Sequence, residues 1–161
     1  MKFNKILCLI FALLMVVSLA ACGGDSGNED SDIVVGKVME IEDCVAKITD
    51  VKLVKDVDDK DAIAMSFDFT NNSDEAKSFY WTVYNVFTQN DTELEMTLVY
   101  LDEENFIFMD DGTSEDIEPG ATKSVTITYG LVDTVTPVEI EFSDLTEDNV
   151  YNVKVDIANL K

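Results

Sequence analysis

From Cys44 to Ile157 the apolar residues of this chain recur at every second position, and that period constrains the fold more than any other feature. Ile63, Met65, Phe67 and Phe69 alternate with Ala64, Ser66, Asp68 and Thr70, the pattern of a half-buried strand. Phe79, Trp81, Val83 and Phe87 alternate with Tyr80, Thr82 and Tyr84, which predicts a strand with apolar groups on both faces and Trp81 at the centre of the core. Leu94, Met96, Leu98 and Tyr100 repeat the pattern, as do Val125, Ile127, Tyr129 and Leu131. Val138, Ile140 and Phe142 make a short strand after Pro137, and Tyr151, Val153, Val155 and Ile157 close the series. An earlier strand is expected over Val45 to Val54, and Phe106 to Met109 is a further short candidate. Residues 33–43 read either as an edge strand or as linker. No segment carries a sustained helical stripe, and there is no internal repeat. Seven or eight short strands separated by Asn-, Asp-, Gly- and Pro-rich turns, in one domain, predict an all-β antiparallel sandwich.

Ahead of the strands stands a different kind of signal. Lys2 and Lys5 precede an apolar run from Ile6 to Val17, then small residues, then Leu19-Ala20-Ala21-Cys22. This order is that of an export signal. The cysteine at the cut resembles the lipobox of bacterial lipoproteins, in which Cys22 carries diacylglycerol and becomes the mature N-terminus. A transmembrane anchor is disfavoured, because Ile6 to Ala21 falls short of the roughly 20 residues that span a bilayer. An ordinary secretory signal has no need of a cysteine at this place. The expected organisation is a signal peptide over 1–21, a lipidated cysteine with an acidic linker over 22–32, and a sandwich over 33–161. Gly23 to Asp32 contains no apolar residue and spans roughly 17 Å on average as a flexible coil, so the domain is expected to sit close to the outer face of the cytoplasmic membrane.

The charge balance narrows the partners. The sequence holds 33 acidic and 11 basic residues, a net charge of −22, with no arginine and no histidine. Nucleic acid is a poor partner for such a surface, since phosphates are bound through lysine and arginine. The lack of histidine removes serine–histidine and cysteine–histidine nucleophilic pairs and the commonest transition-metal ligand. After loss of Cys8 with the signal and lipidation of Cys22, Cys44 stands alone, so no internal disulfide framework is expected. Cys44 reads as a small buried hydrophobe rather than as a nucleophile.

At Phe67-Asp68-Phe69-Thr70-Asn71-Asn72-Ser73-Asp74-Glu75-Ala76-Lys77-Ser78-Phe79 the chain resembles a family of Firmicute lipoproteins catalogued as domain of unknown function 5067. Gln89-Asn90-Asp91-Thr92-Glu93-Leu94-Glu95 and Asp116-Ile117-Glu118-Pro119-Gly120-Ala121 fit the same family, whose members often carry glycine where this chain has Asp91 or Thr92. The resemblance covers roughly residues 44–145. It implies an immunoglobulin-like sandwich similar to that of an immunoprotective mycobacterial secreted antigen, and it transfers no catalytic residues. Read physically, Asn71, Asn72 and Asp74 suit a turn because they tolerate left-handed backbone and hydrogen-bond locally.

Two acidic loops have the donors that Ca²⁺ prefers. One holds Asp56, Asp58, Asp59 and Asp61; the other holds Asp110, Asp111, Glu115 and Asp116 around Gly112. Neither has EF-hand spacing, and solvated turns in an acidic protein are the simpler reading. No phosphate-cradling loop and no nucleophile elbow is present, so no enzyme is expected. The expected function is a lipid-anchored, non-catalytic binding module for a protein, peptide or small ligand. Tyr80 and Tyr84 are the candidate ligand-binding residues, placed on the face opposite Trp81. The alternative is a structural envelope component, with Ca²⁺ in the Asp56–Asp61 loop as its candidate stabiliser.

Overall fold

A computed structural model describes residues 34–100, 106–107, 110–147 and 149–160. Eleven strands are found among them: β1 (Val38–Ile41), β2 (Cys44–Lys55), β3 (Asp61–Asn71), β4 (Tyr84–Gln89), β5 (Thr92–Glu93), β6 (Val99–Tyr100), β7 (Phe106–Ile107), β8 (Asp110–Asp111), β9 (Thr122–Gly130), β10 (Val138–Ser143) and β11 (Val150–Val155). One helical turn, α1 (Phe79–Thr82), and a 3-10 turn over Ile157–Asn159 complete the inventory. The first sheet has the order β1-β2-β3-β9-β8 and the second the order β11-β10-β4-β5, all pairs antiparallel. Leaving out β1, these orders are the ABED and GFCC′ sheets of an immunoglobulin domain. The expected sandwich is therefore observed, and the ambiguous stretch before Cys44 supplies the extra edge strand β1.

Alternation builds the core. Ile63, Met65, Phe67 and Phe69 of β3 point inward and are fully buried. Phe67 lies 5.6 Å edge-on from Phe142 of the opposite sheet, and Phe142 in turn lies 6.1 Å from Phe87 within its own sheet. Each fully buried ring contributes about 1.5–3 kcal/mol through removal from water. In β2 the inward phase changes from Ala46 and Ile48 to Val51, because an extra residue at Thr49 shifts the register against β3. Such a bulge lets one strand keep apolar groups inward on both sides of a phase error. Asn90 and Asp91, at φ 52° and 57°, form the two-residue turn that joins β4 to β5. Paired left-handed residues match the twist of a hairpin.

Two expectations are corrected. The strand expected from Phe79 begins only at Tyr84, because Phe79–Thr82 coil into α1. In a helical turn residues i and i+3 share a face, so Phe79 and Thr82 are buried while Trp81, which alternation placed in the core, is 71 % exposed. The strand expected from Leu94 to Tyr100 is broken. Thr97 donates to Thr128 O and Gly130 donates to Glu95 O, so this segment crosses from the second sheet to the first. There Val99 packs with Ala62 and Val54 on the outer side of the first sheet. The turn residues Asn71, Asn72 and Asp74 tolerate left-handed backbone without using it here, and Asn71 makes the local hydrogen bonds expected of it; among the described non-glycine residues, positive φ occurs at Glu42, Asp59, Asn90, Asp91 and Glu147. The candidate strand Phe106–Met109 is described only at β7, since 108–109 lie outside the described residues.

The sandwich edge between β1 and β11 is closed by side chains. The Tyr151 hydroxyl accepts from the Glu40 N–H at 3.1 Å and donates to the Glu40 carbonyl at 2.9 Å. Lys37 Nζ donates to the Asn152 carbonyl at 2.6 Å.

Candidate functional site

One pole of the sandwich gathers the β1–β2 turn, the β3–β4 connection with α1, the β8–β9 loop and the β10–β11 loop. Asn71, fully buried, organises it. Its Nδ2 donates to Glu75 O at 2.7 Å and to Ile117 O at 2.8 Å, and its Oδ1 accepts from the Ser73 N–H and hydroxyl. The Thr-Asn-Asn-Ser stretch is thus a structural clamp between two loops. Lys77 pairs with Glu42, and its backbone bridges to Ile117. Pro119-Gly120 turns the β8–β9 loop with Gly120 at φ 76° and Ala121 N–H donating to Glu118 O, a type II turn that favours glycine at this place. Asp144 fixes the β10–β11 loop by accepting from the Thr146 N–H, the Thr146 hydroxyl and the Asn149 amide.

On this framework α1 and the start of β4 present three exposed rings. Tyr80 is 50 %, Trp81 71 % and Tyr84 48 % exposed. The Tyr80 and Trp81 rings stand perpendicular with centroids 5.0 Å apart. Tyr80 is therefore beside Trp81 on α1, not on an opposite face, because α1 replaces the expected strand. The Tyr80 N–H donates to Thr113 O, which seats α1 on the β8–β9 loop. Tyr84 projects from the outer side of the second sheet, where it pairs with Ser143, itself paired with Val150. Tyr84 and Val150 remain half exposed while Ser143 between them is fully buried.

Beneath the rings, the Tyr129 hydroxyl donates to Asn85 Oδ1 at 2.6 Å, and its ring stacks on Phe87 at 4.0 Å. Burial, and then the negative charge of Glu93 and the neighbouring Tyr84 and Tyr80 phenols, push the Tyr129 hydroxyl far above its ordinary acidity range. It stays a neutral donor at every physiological pH. Three hydroxyls among the described residues are buried without a hydrogen-bond partner: Ser78, Thr113 and Ser143. All three adjoin the 78–84 segment, as N-cap of α1, acceptor residue for Tyr80 and cross-strand partner of Tyr84. An unpaired buried hydroxyl costs about 1–3 kcal/mol unless water or a ligand serves it.

The candidate calcium residues are placed otherwise. Asp56 is buried, and its Oδ1 accepts from the Asp58 and Lys60 N–H groups at 2.9 and 2.8 Å. The backbone bond from Lys60 is the main cause that holds its pKa below the ordinary carboxylate value. Asp58 faces Lys60, Asp61 pairs with Lys55 at 2.9 Å, and Asp59 turns the loop at φ 63°. Each of these carboxyl-bearing residues has a separate task. In the second acidic loop Glu115 pairs with Lys123, Asp116 is exposed, and the side chains of Asp110 and Asp111 lie outside the described set. Among the described residues no group of three or more His, Cys, Asp or Glu side chains is arranged to hold a metal ion. Cys44 is buried, and desolvation raises its thiol above the ordinary value, as suits a core residue. Cys22 lies outside the described residues.

Sequence reasoning placed the two tyrosines outside the core but missed Trp81 as a surface group, and it missed Gln89. Gln89 is buried and makes four bonds to the β9–β10 loop: Nε2 donates to Asp133 O and Thr136 O, and Oε1 accepts from the Val132 and Asp133 N–H groups. A polar residue at an inward position of a strand is the signal that marks it.

The comparisons with known proteins agree with this architecture. Residues 20–144 match the family described as domain of unknown function (DUF5067). A "putative lipoprotein" of Staphylococcus aureus subsp. aureus NCTC 8325 superposes with a TM-score of 0.62 at 18 % identity, over 80 % of this chain and 94 % of that one. An uncharacterized beta-sandwich protein of Clostridium difficile 630 gives a TM-score of 0.53 at 16 % identity, over 83 % and 99 % of the two chains. Among curated proteins none matches.

Proposed function

The chain belongs to the DUF5067 family, and from that premise we propose that it is a lipoprotein whose non-catalytic sandwich binds a partner through the α1 pole. Diacylglycerol on Cys22 holds it at the outer face of the cytoplasmic membrane. The Leu19-Ala20-Ala21-Cys22 sequence and the lipoprotein description of the Staphylococcus aureus neighbour support the anchor. The observation that carries the binding reading is the exposed trio Tyr80, Trp81 and Tyr84 on loops already fixed by Asn71 and Asp144. Large aromatic groups held rigidly offer contact area at small entropic cost, the usual economy of a binding surface. In antibody variable domains the corresponding B–C and F–G loops carry recognition, a likeness of architecture rather than of ligand.

Two measurements test the reading. The full chain should partition into the detergent phase of a cloud-point separation and incorporate labelled fatty acid, and Cys22→Ala should do neither. A photoreactive phenylalanine at position 84 should give a discrete cross-linked adduct in intact cells, whereas the same group at Lys47, exposed on the outer face of the opposite sheet, should not. Equal adducts from both positions, or label incorporated by the Cys22→Ala chain, would overturn it.

A further inference from the structure

We propose that the Tyr80–Trp81–Tyr84 surface receives a lysine- or arginine-bearing segment of a partner protein, held by the ring faces and by Glu93 and Glu141. The inference rests on the reading that the α1 pole is the binding end and adds the chemistry of what it binds.

Three observations lead to it. The rings come first. A cation is drawn to the face of an aromatic ring within about 6 Å of its centroid, most strongly to tryptophan. At 71 % exposure the Trp81 indole keeps a face open, and Tyr80 stands perpendicular to it at 5.0 Å. The second observation is the sign of the charge around the rings. Glu93 pairs with Thr88 on the outer face of the second sheet, two residues along β4 from Val86. Glu141 pairs with Val86, one step along the outer face from the Tyr84–Ser143 pair. Diagonal neighbours across a sheet lie roughly 7–8 Å apart, within reach of one long side chain. Both glutamates are exposed. The third is the state of the chain's own cations. Lys52, Lys55, Lys60, Lys77, Lys123 and Lys154 are each in an ion pair with Asp50, Asp61, Asp58, Glu42, Glu115 and Glu139. With a net charge of −22, the surface as a whole attracts a basic segment and repels an acidic one, and the rings give that attraction a place to end.

Trp81 is the single tryptophan of the chain, so its emission reports on this pole alone. The test uses the full chain in a non-ionic detergent, titrated with a short oligolysine peptide, its fully acetylated counterpart and an oligoglutamate peptide. Oligolysine should change Trp81 emission saturably in physiological salt, and the other two should not. Tyr84→Ala, Tyr80→Ala and Glu93→Gln should each weaken the oligolysine affinity about fivefold with the melting temperature unchanged, as expected for removing one cation–π or one charge contact. Calorimetry on Trp81→Ala gives the same comparison without the reporter. Association that leaves Trp81 emission untouched, or that survives Tyr84→Ala and Glu93→Gln, would be diffuse charge attraction and would overturn the proposal. A response to the acetylated peptide equal to that of oligolysine would also overturn it while leaving the α1 pole as a binding end. A cross-link at position 84 to a partner segment without basic residues would do the same.

Discussion

Two aromatic residues two positions apart, Phe79 and Trp81, have opposite fates. Phe79 is buried, with centroids 5.1 Å from Phe67 and 5.6 Å from Phe69, whereas Trp81 is mostly in solvent. Stability should follow the packing and not the hydrophobicity. Phe79→Ala should cost about 3–5 kcal/mol, the range for emptying a ring from a core. Trp81→Ala should stay within about 0.5 kcal/mol, as surface substitutions do. Urea unfolding of the two variants measures both, and equal losses would place Trp81 in the core after all. The same contrast shows why a residue can matter for binding without mattering for folding.

At the level of elements, the β4–β10 junction depends on one buried amide. Gln89 joins the end of β4 to the loop before β10, and Asp133 continues the network by accepting from the Thr136 and Val135 N–H groups. Gln89→Ala should cost about 3 kcal/mol, because loop groups that Gln89 now serves lose their partner in a buried place. Asp133 and Asp56 make the fold acid-sensitive. Backbone donors, first Thr136 for Asp133 and Lys60 for Asp56, lower both below the ordinary carboxylate value of 3.8. Their contribution is complete above that value and disappears as pH falls through the lower folded-state values. A melting series across this acid range should show the loss, and Asp56→Asn with Asp133→Asn should flatten it. Most of the strands were legible because alternation is a local signal: β3, β9, β10 and β11 fall within a residue or two of their expected positions. The segments that misled were those where tertiary contacts replaced strand pairing. Thr113 O captures the Tyr80 N–H and bends 79–82 into a turn, and Thr128 and Gly130 draw 94–100 across to the first sheet. The outside partners, Thr113, Thr128 and Gly130, lie about 30 residues away in sequence from the segments they reshape. The Asp56–Asp61 loop is similar, since four clustered carboxylates give no hint that one of them turns inward to cap the loop.

For the whole molecule, a net charge of −22 on one chain stores repulsion that salt relieves. Raising sodium chloride from low to physiological concentration should increase the melting temperature. At equal ionic strength Ca²⁺ should act no differently from Mg²⁺, given the separate tasks of Asp56, Asp58, Asp59 and Asp61; a rise particular to Ca²⁺ would establish an ion site there. The paired sheets also have rims, and the Tyr151 hydroxyl occupies both backbone groups of Glu40 on one of them. An open rim is a template on which a neighbour's strand can add. Under the proposed Cys22 anchor, many copies on one surface meet at local concentrations that a dilute solution never reaches. With that rim already engaged, neighbours collide there without knitting together, so a dense layer of this protein can remain a layer of separate molecules.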